Sequence, residues 1–215
     1  MNKSYFFVLV GISLIFASCS ARISGIIHEN GSADVAVRAS LEPKTAALLQ
    51  SFSRNPSASV IDGASIGASA AAAPGIVSAQ FRNINPIAID GNLKINKIDE
   101  FLLAEEPGAD TYRFVRYNQN AGAGSLTINL DLSKGPLIIS LFSPDVADYL
   151  SAIMAPLATG ETLSVSEYLA LVSTVYGSNV SSEIKNAIVH IDFTVPGTVT
   201  SVKGGTFTKN QANFS

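Results

Sequence analysis

The chain has 215 residues, with 14 Lys and Arg against 17 Asp and Glu and a formal charge of −3. A weakly acidic chain without a basic run argues against nucleic acid as a partner, because phosphate binding draws its affinity from clustered cations. One cysteine rules out an intramolecular disulfide, so the fold must rest on its apolar core.

Chain order begins with an apolar run from Tyr5 to Phe16, preceded by Lys3 and followed by Ala17, Ser18 and Cys19. The run is shorter than the roughly 20 residues that cross a hydrocarbon layer, and it leads into small residues, so residues 1–18 read as a secretory signal with cleavage between Ser18 and Cys19. The segment resembles the lipobox of bacterial lipoproteins, with Phe16 where an aliphatic residue is usual. That resemblance implies a diacylglyceryl-modified Cys19. The expected location is the cell envelope, lipid-anchored to an inner or outer membrane. Loss of residues 1–18 removes Lys3 and leaves 197 residues, enough for one large domain or two small ones.

After the leader, residues 22–28 and 32–41 alternate apolar and polar side chains around Glu29-Asn30-Gly31, which predicts a hairpin with positive φ in its turn. Pro43 opens a helix carrying Leu48, Leu49 and Phe52, and Asp62 caps an Ala-rich helix that stops before Pro74-Gly75. Strands are expected at 76–84, 86–96, 111–118, 125–132, 136–142, 189–195 and 198–203. Ser143-Pro144-Asp145 starts a helix over 144–158, and Ser164 with Glu167 forms a capping box ahead of a helix that Gly177 ends. A short continuation occupies 180–187. The fold class expected is α+β, a mostly antiparallel sheet with pairs of helices packed on one face. The polar connector Glu105–Asp110 divides 19–104 from 111–215, two α+β halves of one continuous globular unit.

Catalytic chemistry finds little footing. There is no Gly-x-Ser-x-Gly elbow, and only His28 and His190 offer imidazole bases. His190 and Asp192 share the outward face of a strand, where a solvated histidine is the plainer reading, and His28 beside Glu29 reads the same way. The acidic residues Asp99, Glu100, Glu105, Glu106 and Asp110 match no EF-hand spacing and suit an exposed connector. Gly63 and Gly67 lack the Gly-Lys-Ser ending of a phosphate loop. Tyr112, Phe114 and Tyr117 with Arg113 and Arg116 divide between core and surface. No catalytic residue, metal or cofactor is expected.

The stretch Ala187–Gly205, with its strand, Pro196-Gly197 step and Gly204-Gly205, resembles the mycobacterial LppM-like lipoprotein domains, and the relaxed lipobox is similar to those of spirochaete lipoproteins. The resemblance implies an α+β envelope domain and no active site. The function expected is a membrane-anchored, non-catalytic binding module for a lipid, an apolar ligand or an envelope or host protein. The alternative is a structural or assembly subunit of an envelope complex, docked through a strand edge. Tyr149, Ile153, Met154, Tyr168 and Tyr176 are the expected lining of an apolar groove between sheet and helices.

Overall fold

The computed structural model describes residues 19–52, 59–72, 75–98, 115–120, 123–128 and 164–214. Within them the chain runs β1 (Cys19–Ile27), β2 (Ala33–Leu41), α1 (Pro43–Phe52), α2 (Gly63–Ala71), β3 (Ile76–Asn85), β4 (Ala88–Ile95), β5 (Val115–Asn120) and β6 (Ala123–Ile128). It continues through α3 (Val165–Tyr176), α4 (Ser178–Lys185), β7 (Val189–Thr194), β8 (Thr206–Phe207) and β9 (Gln211–Phe214). Seven strands form one sheet in the order β3-β4-β2-β1-β7-β9-β8, while β5 and β6 pair as a separate hairpin. Every neighbouring pair is antiparallel except β1 with β7, which run parallel. The fold is therefore α+β with a mostly antiparallel sheet.

Alternation along β1, β2 and β4 puts Ile23, Ile27, Val35, Val37, Leu93 and Ile95 on one face, all buried. Burying each such aliphatic side chain contributes about 1.5–3 kcal/mol. α1 and α2 cover this face directly, adding Ala46, Leu49, Ile66 and Ala70 to the same core. α3 and α4 join that side by packing on α1, through a smaller cluster of Tyr168, Val172 and Val180 with Leu48, Tyr176 and Ile184.

Local chemistry accounts for the element ends. His28 N–H donates to the Ser32 carbonyl and Gly31 N–H to the His28 carbonyl, with Gly31 at φ +80°. Asn30 keeps negative φ, and its side chain instead accepts from the Ser32 N–H and hydroxyl. The connection is thus a three-residue loop with a left-handed glycine, not a two-residue turn with Asn and Gly both at positive φ. Asp62 caps α2 by accepting from Ser65 N–H at 3.1 Å. Ser164 and Glu167 form the capping box of α3.

Asn83 of β3 clamps the entry to α2, donating to the Ile61 carbonyl at 2.7 Å and accepting from Gly63 N–H at 3.0 Å. Gly63 and Gly67 face β3 so closely that added Cβ atoms would lie 3.0 Å from the Arg82 carbonyl carbon and 3.2 Å from the Phe81 nitrogen. Those glycines seat a helix on a strand.

One expected strand is absent: residues 198–203 carry no strand, and the pairing in this region falls to β8 and β9. Gly204, at φ +83°, turns the chain, and the backbone of Gly205 comes against the Asn213 carbonyl, so the alternation of 198–203 is spent in a loop. The strand expected at 136–142, the helix at 144–158 and the connector Glu105–Asp110 lie outside the described residues.

Candidate functional site

Cys19 is the first residue of β1 and stands opposite Leu41 of β2. Segments from four elements meet at this end of the sheet. Ser20 donates to Glu42 at 2.9 Å, Leu41 N–H to the Ile87 carbonyl, and Ala21 N–H to the Ile188 carbonyl. No residue separates Cys19 from the folded sheet, so anything joined there sits directly against β1.

The face of the sheet opposite the helices is polar, and its register aligns a row of Arg, Asp and His residues across five strands. Arg82 of β3 stands opposite Asp90 of β4, Asp90 opposite Arg38 of β2, Arg38 opposite Arg22 of β1, and Arg22 opposite His190 of β7. Asp90 is shared, approached by Arg38 at 3.2 Å and by Arg82 at 3.4 Å. Arg22 has the Asp192 carboxylate at 4.0 Å. The arginine side chains are 66–80% exposed, whereas Asp90 is 21% exposed, so the cations project outward over a recessed carboxylate. Like charges directly opposite one another, as Arg22 and Arg38 are, cost a sheet stability.

Toward the Cys19 end the next row is small, Ala88, Ser40 and Ser20. Asn85 of β3 stands opposite Ala88, and on the β7 side the exposed Ile188 lies beside this row. In the other direction lie Gln80, Asn92, Ala36, Ser24 and Asp192, and then Ser78, Lys94, Asp34, Ile26 and Thr194. Ile26 is half exposed.

Of the residues singled out from the sequence, Cys19 falls at the sheet end, while Ser18, Tyr149, Ile153 and Met154 lie outside the described residues. Tyr168 and Tyr176 come together in the smaller cluster, where their packing joins α3 to α4 and α1. Burial, and secondarily the neighbouring Tyr176, push the Tyr168 phenol above its ordinary value. His28 pairs with Asp34 at 2.9 Å, not with the adjacent Glu29. His190 and Asp192 share the polar face, with Asp192 turned to Arg22. Sequence reasoning missed the arginine row. Its signal was the hairpin itself, since extending the 22–28/32–41 pairing through its turn places Arg22 opposite Arg38, but the other members need the register of β3, β4 and β7.

Among the described residues, no helix is long and apolar enough to cross a membrane, and no three His, Cys, Asp or Glu side chains gather where a metal ion could be held. No family model matches the sequence, and no curated protein matches it. Among solved structures, the chain is similar to the NMR structure of the folded domain of the Mycobacterium tuberculosis LppM protein. Identity is 12%, coverage is 92% of this chain and 81% of that chain, and the TM-score is 0.43.

Proposed function

We propose that the chain is a lipoprotein of the cell envelope, anchored through acyl chains on Cys19, whose α+β domain is a non-catalytic binding module for a lipid, an apolar ligand or a protein partner. The observation that supports this reading is the coincidence of two features at one residue. The lone cysteine follows the small residues Ala17 and Ser18, and it stands at the end of the apolar N-terminal run. Cleavage before Cys19 leaves β1, Cys19–Ile27, intact. A single acyl chain binds membranes only marginally, whereas two or three hold a domain durably, at about 0.8 kcal/mol per buried methylene. Confinement at a surface then raises the effective concentration of the module near its neighbours, so modest contacts suffice.

The test is intact-mass and peptide-mass analysis of the protein extracted from its own membrane, alongside a Cys19→Ser variant. The expected result is an N-terminal peptide starting at Cys19 and carrying fatty acid, with the variant left unprocessed. An unacylated Cys19, with the variant processed and partitioned like the parent, overturns the reading.

A further inference from the structure

We infer that the polar face of the sheet is a membrane-docking surface, on which Arg22, Arg38 and Arg82 meet the phosphates of anionic phospholipids beside the anchored Cys19. This inference rests on the lipid-anchor reading and adds an orientation to it. Arg22 lies three positions along extended β1 from Cys19, about 10 Å at the usual rise. Register then carries the cationic row sideways from Arg22 through Arg38 to Arg82. A domain tethered at one end of β1 with no slack brings this row to the surface when the sheet lies down on the bilayer.

Charge and exposure favour that face over the helical side. Arg22, Arg38, Arg82 and Lys94 match Asp34, Asp90, Asp192 and Glu42, the last held by Ser20 at the Cys19 end, so this face is balanced on a chain whose formal charge is −3. The aspartate that serves two of the arginines is recessed beneath them. His28 and His190 lie on the same face, the first paired with Asp34. Exposed Ile26 and Ile188 give it apolar points that can enter the headgroup layer, while arginine stems cover apolar surface and keep their charge at phosphate level. Each arginine held near an anionic surface strengthens binding about fivefold, and salt screens the effect.

The experiment places one fluorescent label at a time on the full-length protein in nanodiscs, at Asn92→Cys on the polar face or Ser182→Cys on α4. An acylated Cys19 leaves the new thiol as the sole attachment point. The discs contain phosphatidylcholine alone or with phosphatidylglycerol, and carry a headgroup nitroxide quencher. The expected result is quenching at position 92 only, stronger with phosphatidylglycerol, relaxed by high salt, and reduced in Arg22→Gln. Arg22→Gln keeps the Asp90 pairs intact, so it tests the face even if a triple Arg22→Gln, Arg38→Gln, Arg82→Gln variant unfolds. Equal quenching at 92 and 182, or quenching indifferent to phosphatidylglycerol and to Arg22→Gln, overturns the proposal. The mass of Cys19 in the same samples separates the two readings. Acylated protein without quenching at 92 sinks only the docking face, and, where the mass shows no acyl chain, salt-sensitive quenching of the Cys19→Ser, Asn92→Cys variant bound to added vesicles sinks only the anchor.

Discussion

Glu183 accepts hydrogen bonds from the backbone N–H groups of Lys44 and Thr45, at 2.9 and 2.7 Å, and from the Thr45 hydroxyl at 2.9 Å. A carboxylate on α4 thereby closes the open N-terminus of α1, 138 residues earlier for Thr45, and complements the positive end of that helix dipole. Pro43, with no N–H of its own, suits the first position of the helix. Because α1 supplies both Leu49 to the main core and Leu48 to the smaller cluster, this cap holds the second helix pair on the sheet.

Removal of the cap carries a definite cost. Glu183→Ala is expected to lower stability by about 1–2 kcal/mol, the usual loss for a helix N-cap, because two backbone donors lose their partner. Glu183→Gln keeps one acceptor oxygen and loses less. Urea unfolding curves of the two variants beside the parent check the ordering, and an unchanged midpoint for Glu183→Ala would refute it.

The same group makes stability depend on acid. Burial is the largest single influence on Glu183 and raises its pKa, but the hydrogen bonds from Lys44 and Thr45, with the Lys44 charge, outweigh it and leave the pKa below the ordinary 4.5. Glu167 is also lowered, first by the Ser164 hydroxyl and then by the Ser164 N–H. A depressed folded value means that the unfolded chain binds more protons, so this stability is fully present above 4.5 and fades as pH falls through the folded values. Thermal melts from pH 6 to pH 3 should fall less steeply in Glu183→Gln than in the parent, and parallel slopes would count against the assignment.

Two glycines, one on β4 and one on the central strand β1, carry phenylalanine rings. Gly91 of β4 stands opposite Phe81 of β3, Gly25 of β1 opposite Phe193 of β7, and each ring lies where a Cβ on the glycine would sit. Gly91→Ala and Gly25→Ala should each cost about 1–3 kcal/mol, since the ring must leave its place against the core. Pairing Gly91→Ala with Phe81→Leu should recover part of the loss. A double variant no more stable than Gly91→Ala alone would show that the ring is not the obstacle.

Asn83→Ala removes both the donor to the Ile61 carbonyl and the acceptor for Gly63 N–H, leaving two part-buried backbone groups without this partner. About 1–3 kcal/mol of destabilisation is expected. Hydrogen exchange should rise first in α2, ahead of β1 and β2. Uniform acceleration across the sheet would argue against a local clamp.

What the sequence disclosed follows the range of the forces involved. The β1–β2 hairpin, the Asp62 cap and the Ser164–Glu167 box are local and were legible from alternation and end signals, as was the sheet-and-helix class. Long-range pairing was not legible. The alternation of Val189–Thr194 marks a strand, yet nothing in it says that β7 runs parallel beside β1, and nothing around Glu183 points to Thr45. The loop over 198–203 was misread because alternation survives there while Gly204 and Gly205 redirect the chain. Cys19 stood out by its place after the apolar N-terminal run, whereas the arginine row exists only once five strands are in register.

The position of Cys19 has a mechanical consequence. A pull applied at residue 19 along the strand axis acts on β1 between two neighbours, antiparallel β2 on one side and parallel β7 on the other. The load falls on both ladders in shear, many bonds at once, instead of peeling them apart singly from an edge. A domain tugged at this point should resist extraction by force far better than one fastened through β3 or β8 at the rim of the sheet.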